Sequence, residues 1–187
     1  GEVTGNIDEK VRHSITKLAD YHLVASEDAK QRVLKLGEDE ACVYNTGCPS
    51  IDLAHQLKNS QELDFDPYKE YGGVGAQPDL SKGYWVVMQH PVTNEYQDSR
   101  KHVEVTLEAI RRCKDLPVLW FWPNVDAGSD GTSTGIRSYR ERFDLSHVHF
   151  FKNMEGIDFL KLLNNARVLV GNSSVGIREC SYLGIPV

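Results

Sequence analysis

The chain contains no long apolar run, since none of its hydrophobic stretches approaches the ~20 residues that a membrane-spanning helix needs. No charged-then-apolar leader opens it, and no stripe of Lys and Arg is visible. The net charge is −6, whereas a general nucleic-acid binder uses such cations to neutralise a phosphate backbone. We therefore expect a soluble globular protein with neither a membrane nor a nucleic acid as partner. Any anionic ligand must be bound by local groups.

Paired cysteine motifs are missing as well. The chain has four cysteines, which lie far apart and form no CxxC pair: Cys42, Cys48, Cys113 and Cys180. This spacing indicates neither a structural zinc site nor a disulfide framework, and it fits a reducing cytoplasm best. The sequence also has no GxGxxG segment, the glycine pattern of dinucleotide-binding turns.

Hydrophobic periodicity indicates that helices and short strands alternate in the first third of the chain. Ser26 and Gly37 are typical of a helix start and a helix end. The predicted elements are a helix over 8–20, a strand over 21–25, a helix over 27–36, a strand over 41–45 and a helix over 49–55. These β/α units predict the C-terminal part of a first Rossmann-like domain, residues 1–58.

Residues 59–82 are rich in Gly, Pro and charge and lack sustained periodicity, so we interpret them as a connector. Beyond them, apolar runs predict buried strands at 84–88, 117–122, 148–151 and 167–171, with helices between them that include 98–114 and 155–166. Such alternation is typical of an α/β fold with a parallel, doubly wound sheet. We expect 83–187 to form a second Rossmann-like domain, and both domains to be incomplete here.

The segment Gly171-Asn-Ser-Ser174 follows the last of these strands and leads into a helical pattern. We expect the free N–H groups of a first helical turn, together with the hydroxyls of Ser173 and Ser174, to form a phosphate-binding site at the end of a strand. Arg178 and Glu179 add a cation and an acceptor one turn later. The alternative is that Ser173 is only a helix N-cap, and the spacing alone does not separate the two.

Polar side chains also follow the first two strands of the second domain. His90 comes directly after the first, and Asn124 and Asp126 lie in the loop after the next. The carboxyl ends of parallel strands are where α/β sheets bind ligands, although a single histidine there is more often structural. His147 and His149 share a strand face, but no third metal ligand is patterned nearby, so we assign both to the structure.

A charged group lies near the start of the chain. Glu2 precedes the first helix, and Asp8 is spaced to face Arg12 on it. Acids in a first helical turn stabilise the helix dipole and need no other purpose. The pattern by itself therefore favours a structural role for these residues.

Four sequence motifs favour a functional role for these residues instead. The segments Gly1-Glu-Val-Thr-Gly with Ile7-Asp-Glu-Lys-Val-Arg-His13, Gln89-His-Pro-Val-Thr93, Pro123-Asn-Val-Asp-Ala-Gly-Ser129 and Gly171-Asn-Ser-Ser-Val-Gly-Ile-Arg-Glu179 together resemble the UDP-N-acetylglucosamine 2-epimerases. The resemblance spans essentially the whole chain and is nearest to the hydrolysing branch of the sialic-acid pathway. It implies two Rossmann-like domains in the B-type glycosyltransferase arrangement, with the nucleotide sugar in the cleft between them.

The resemblance also implies roles for individual residues. Glu2 and Asp8 would be the acid/base carboxylates, with Arg12 keeping one of them ionised. His90 and the serine turn would stabilise the departing diphosphate, and Glu179 would accept hydrogen bonds from the ribose. The remaining residues implied for ligand binding are Asn124, Asp126 and Arg178. UDP would leave by elimination and water would add to give N-acetylmannosamine, without cofactor or metal. A homo-oligomer is implied as well.

Several alternatives stay open at this stage. The substrate could instead be a UDP-diacetamido-trideoxy hexose of the legionaminic type. A non-hydrolysing epimerase, a B-type glycosyltransferase and a non-catalytic nucleotide-sugar-binding protein are more distant alternatives on the same fold. Since the family's first β/α units and its C-terminal segment are absent from this sequence, we expect the 187-residue chain to be inactive by itself.

Overall fold

The computed structural model describes residues 7–57, 63–125 and 127–187. Contacts between residues divide the chain into two units, Gly1–Asp52 and Leu53–Val187. This division falls within a helix and precedes the predicted domain boundary at residue 58. Within the described ranges, no helix combines the length and the apolar composition that a membrane crossing requires.

The first unit contains a short parallel pair of strands, β1 (His22–Val24) and β2 (Val43–Asn45). Helix α1 (Ile7–Leu18) precedes β1, α2 (Glu27–Lys35) connects the strands, and α3 (Pro49–Leu57) follows β2. Ser26 caps α2, because its side-chain oxygen accepts a hydrogen bond from the Ala29 backbone N–H at 3.2 Å. The predicted helices and strands of this region are confirmed, with ends that differ by at most two residues.

The second unit is built on a five-stranded sheet. Its elements are α4 (Pro67–Tyr71), β3 (Val74–Gly75), β4 (Trp85–Met88), α5 (Ser99–Arg112), β5 (Val118–Phe121), α6 (Ser129–Arg142), β6 (Val148–Phe151), α7 (Gly156–Asn164), β7 (Val168–Gly171) and α8 (Glu179–Leu183). The strands stand in the order β3-β6-β5-β4-β7, and every neighbouring pair is parallel except β3 with β6. The four predicted strands of this region, β4 to β7, are thereby confirmed.

The parallel strands are aligned at one level across the sheet. Val86 in β4 lies opposite Leu119 in β5 and Leu169 in β7, and these three side chains pack with α7 and α8 on one face. Val87 and Trp120 point to the other face and pack with α5 and α6. Because successive side chains of a strand alternate between faces, the near-continuous apolar runs bury both sides of the sheet.

The described part of the predicted connector, residues 63–82, has structure of its own. Asp66 caps α4 by accepting hydrogen bonds from the Tyr68 and Lys69 N–H groups, and Pro67 occupies the first helical turn. β3 then pairs with the edge of the sheet, and Tyr68 and Tyr71 pack on its core. This segment therefore belongs to the second unit. A five-residue helix and a two-residue strand are too short for hydrophobic periodicity to reveal.

His149 in β6 attaches this segment to the sheet. Its Nδ1 lies 2.7 Å from the Ala76 carbonyl oxygen and its Nε2 lies 2.8 Å from the Gly72 carbonyl oxygen, while the residue is 2% exposed. Nε2 of His147 lies 3.1 Å from the Ile110 carbonyl oxygen. Both histidines thus make the structural contacts expected of them. Among the described residues, no group of three metal-ligating side chains is close enough to hold an ion.

Substitution His149→Leu should lower the free energy of unfolding by about 1–3 kcal/mol, because it removes the buried imidazole that faces the carbonyl groups of Gly72 and Ala76. Chemical denaturation measures this difference. His102→Leu, on the solvent side of α5, is the matched control and should change it by less than about 0.5 kcal/mol. Equal losses in the two variants would contradict the role given to His149.

Candidate functional site

The second sheet changes direction between β4 and β7. The chain proceeds outward from β4 through β5 to β6 and then returns to the other side of β4 to form β7. In a doubly wound sheet, the crevice beyond the carboxyl ends of two such strands is the usual place for a ligand. Here His90 lies beyond the end of β4, and Ser173 and Ser174 lie beyond the end of β7. The structure therefore places these three predicted site residues beyond the ends of two neighbouring strands.

The ends of β4 and β7 approach each other closely because Gly171 has no side chain. Its φ is +145°, and a Cβ atom there would lie 2.0 Å from the Met88 carbonyl oxygen. One residue later, the Asn172 N–H donates to that same oxygen at 3.2 Å. Backbone contact between the two strands thus continues to the point where the site begins.

Asn172 adds a side-chain link that the sequence analysis missed. Its Oδ1 accepts a hydrogen bond from the His90 N–H at 2.8 Å, and its Nδ2 donates to the His90 carbonyl oxygen at 2.9 Å. The only signal in the sequence was the residue type, since asparagine both donates and accepts. Nothing in the spacing indicated that the partner would be a backbone group 82 residues earlier.

The serine turn differs from the continuous helix that was predicted after it. Ser174–Gly176 forms a 3-10 turn, and only the five residues of α8 are α-helical, starting at Glu179. Ser173 Oγ accepts from the Val175 N–H at 3.4 Å, so the N-cap alternative is present, although that bond is long. A short helix aligns few peptide dipoles. An anion here would consequently depend on individual N–H groups, hydroxyls and cations more than on a helix dipole.

Arg178 connects the serine turn to a buried carboxylate. Its Nη2 donates to Ser174 Oγ at 3.2 Å, and its Nε lies 3.6 Å from Oε2 of Glu179. Glu179 is only 5% exposed, and that Oε2 has no hydrogen-bond partner among the described residues. Because a buried charged oxygen is costly when it is not satisfied, this position is typical of a site that a ligand completes.

Cys180 lies beside this carboxylate and is fully buried. Burial, together with the neighbouring charge of Glu179, raises the pKa of the Cys180 thiol to about 11. A thiol with that pKa stays protonated at neutral pH, and only the thiolate is a good nucleophile. Cys180 therefore serves packing rather than covalent chemistry.

Asn124 lies beyond the end of β5, the strand next to β4. It lines a cavity of about 680 Å³ together with side chains from α6 and from the loop after β6, among them Arg137, Arg140 and Lys152. Asp126, predicted with it, lies outside the described residues. Asn124 thus occupies the same rim of the sheet as His90, one strand further along.

The remaining predicted residues belong to the first unit. Asp8 lies in the first turn of α1 and Arg12 lies one turn later, both exposed, whereas Glu9 between them is buried at 6% exposure. Glu2 lies outside the described residues. The sequence analysis gave Glu9 no role, so its burial is a finding of the structure.

Comparison with known proteins identifies the family. The family model described as UDP-N-acetylglucosamine 2-epimerase matches residues 1–187. The chain belongs to this family. The epimerase-family chain is 33% identical over 187 residues to the UDP-N,N'-diacetylbacillosamine 2-epimerase (hydrolyzing) of Legionella pneumophila, covering 100% of this chain and 47% of that protein. It is 31% identical over 186 residues to the UDP-N-acetylglucosamine 2-epimerase of Neisseria meningitidis, covering 100% of this chain and 46% of that protein.

Solved structures share the fold. The Neisseria meningitidis UDP-GlcNAc 2-epimerase bound to UDP-GlcNAc superposes with a TM-score of 0.69 at 15% identity, over 97% of this chain and 47% of that one. The Rickettsia bellii UDP-N-acetylglucosamine 2-epimerase gives 0.62 at 14% identity, over 98% and 46%. These likenesses confirm the predicted α/β class with Rossmann-like parallel sheets. The epimerase-family chain spans about half the length of the curated relatives it matches.

The close approach at Gly171 gives a test within this epimerase-family chain. Gly171→Ala should lower the free energy of unfolding by more than about 2 kcal/mol, because its Cβ would meet the Met88 carbonyl at a left-handed φ. Gly156→Ala is the matched control: it has open space around it and starts α7, so stability should be unchanged or slightly higher. Chemical denaturation of both variants measures the difference. A Gly171→Ala protein as stable as the control would contradict this account of the strand ends.

Proposed function

We propose that the full-length protein containing this chain is a hydrolysing UDP-N-acetylglucosamine 2-epimerase that releases N-acetylmannosamine for sialic-acid-type sugar synthesis. Family membership supports the reaction class. The observation that carries the proposal is the junction of β4 and β7, where His90 and the Ser173–Ser174 turn occupy neighbouring strand ends beside the buried Glu179. All four cysteines are free thiols, which fits a reducing cytoplasm.

The first half of the proposed reaction is an elimination. A base removes the C2 proton of the sugar, the C1–O bond to UDP breaks, and its electron pair leaves on the diphosphate as a C1=C2 double bond forms. Asp8 and Glu2 are the proposed acid/base carboxylates, and Arg12, one helical turn after Asp8 on α1, is a further proposed catalytic residue. Charge then grows on the diphosphate, which His90, the serine turn and Arg178 are proposed to stabilise.

The second half is a hydration. Water adds its hydroxyl to C1 of the glycal-like intermediate, and a proton reaches C2 from the face opposite to the one that lost it. The products are UDP and free N-acetylmannosamine, so atoms balance without a redox cofactor. Asn124 and Asp126 are proposed to line the ligand site from the loop after β5. Assembly into a homo-oligomer stays a prediction.

Glu179 is proposed to bind the ribose. Its buried Oε2 lacks a hydrogen-bond partner among the described residues, and a ribose hydroxyl would supply the missing donor. Hydrogen bonds to a charged group contribute about 1.5–3 kcal/mol. Arg178, which contacts both Ser174 and Glu179, would then lie between the diphosphate and ribose ends of the nucleotide.

A second substrate is favoured by a specific observation. One relative, 33% identical to this chain, is named a UDP-N,N'-diacetylbacillosamine 2-epimerase (hydrolyzing), and its identity is close to the 31% found for the Neisseria enzyme. The same reaction on a UDP-diacetamido-trideoxy hexose is therefore the alternative proposal. Both sugars carry the C2 proton and the UDP leaving group that the mechanism uses.

The full-length protein should convert UDP-N-acetylglucosamine in deuterated water into UDP and N-acetylmannosamine deuterated at C2, because the proton that returns to C2 comes from solvent. Proton NMR follows both products, and the diacetamido sugar is run in parallel. Faster turnover of that sugar would assign the alternative substrate. Production of UDP-N-acetylmannosamine would mean a non-hydrolysing epimerase, and UDP release only with an added acceptor sugar would mean a glycosyltransferase.

Glu179→Gln in the full-length protein should weaken UDP binding by about tenfold or more, since a charged acceptor is lost. Calorimetry with UDP and with a UDP analogue that lacks both ribose hydroxyls separates the causes: the analogue should bind the variant no more weakly than it binds the unsubstituted protein. Glu141→Gln, at an exposed position of α6, is the matched control and should bind UDP like the unsubstituted protein. An equal loss of affinity for the analogue would contradict the ribose assignment.

A further inference from the structure

The side chain of Asn172 continues the hydrogen bonding between β4 and β7 past the ends of the two strands. The two strands pair in register up to Met88 and Gly171, and the Asn172 N–H still donates to the Met88 carbonyl oxygen. Beyond that point the main chains diverge into the loop after β4 and the serine turn. The Asn172 carboxamide then bonds to both the N–H and the carbonyl oxygen of His90, at 2.8 and 2.9 Å.

Among side chains of this length, only a carboxamide makes both bonds. The Asn172 oxygen faces a donor and its nitrogen faces an acceptor, so its orientation is determined by the two partners. Aspartate would accept from the N–H but would place a second oxygen against the His90 carbonyl. Glutamine is one methylene longer and does not fit the same span, because the close backbone approach at Gly171 fixes the distance between the two strands.

These two bonds lie at an exposed position, so water competes with them and they add little to the stability of the whole unit. Their effect is local. They connect residue 90 with residue 172, whose next neighbour is Ser173, and so hold the backbone at His90 at a set distance from the serine turn. Backbone pairing up to Met88 and Gly171 and the bond from the Asn172 N–H to Met88 align the two strands before this point, and the carboxamide extends that alignment to residue 90.

We propose that Asn172 is a positioning residue that fixes His90 relative to the Ser173–Ser174 turn, so that the two bind one diphosphate together. This inference rests on the proposed function. Asn172 itself does not contact the ligand. Its carboxamide affects the affinity for a diphosphate through the backbone of His90. Prearranged donors bind a developing charge best when little reorganisation is needed.

The test uses the full-length protein with UDP as the probe, measured by calorimetry, and thermal unfolding as a check of stability. Asn172→Ala should weaken UDP binding about tenfold, and Asn172→Asp should weaken it at least as much because it also adds a negative charge. Asn165→Ala is the matched control, since it removes one side-chain bond to the Lys161 carbonyl, at 2.9 Å, at the end of α7. It should leave UDP affinity within about twofold.

A double substitution shows whether Asn172 acts through His90. In a His90→Ala background, which lacks the positioned imidazole, Asn172→Ala should weaken UDP binding by less than about threefold. Equal factors in both backgrounds would mean that Asn172 acts independently of His90, and equal affinity of Asn172→Ala and the unsubstituted protein would mean that it does not act at all. Either result overturns the inference alone. No UDP binding by the unsubstituted protein would overturn the proposed function and the inference with it.

Discussion

The pairing of β7 with β4 is the constraint on which the candidate site depends. Because the chain returns across the sheet after β6, two strands far apart in sequence end side by side, and their loops open toward a common crevice. That pairing requires Gly171, since a Cβ atom there would meet the Met88 carbonyl. The positions of His90, the serine turn and Arg178 all follow from this contact. In a sheet ordered as the chain runs, His90 would not be a neighbour of the serine turn or of Arg178.

Much of the fold could be predicted because burial leaves a clear pattern. The strands β5 and β6 are buried along their whole length and β4 and β7 in part, all four read as apolar runs, and capping residues such as Ser26 mark helix ends. Short elements leave no such pattern, so α4 and β3 were interpreted as part of a connector. The periodic apolar residues of α1 predicted the helix correctly. They did not predict the exposure of its last residue, since Leu18 is 84% exposed.

The site was predictable only in part, because some of its interactions join residues that are far apart in the sequence. Position after a strand indicated His90, Asn124 and the two serines, because the parallel topology brings strand ends to one edge. The link from Asn172 to His90 joins residues 82 apart through a backbone group, which carries no sequence signal. The burial of Glu179 likewise depends on packing around α8, whereas its spacing from the serines suggested only an acceptor in the vicinity.

A buried acid beside a proposed anion site calls for a reason, because the chain already carries a net charge of −6 and a carboxylate repels a diphosphate. Arg178 partly resolves the conflict, since it lies 3.6 Å from Glu179 and also donates to Ser174, where the phosphate is proposed to bind. The remaining free-energy cost of burying this carboxylate is useful if Glu179 selects the ligand. A buried acceptor left unsatisfied rejects ligands without a matching hydroxyl far more strongly than an apolar pocket does. On the proposed function, the serine turn would therefore supply affinity for the diphosphate, while Glu179 would restrict that affinity to ribonucleotides.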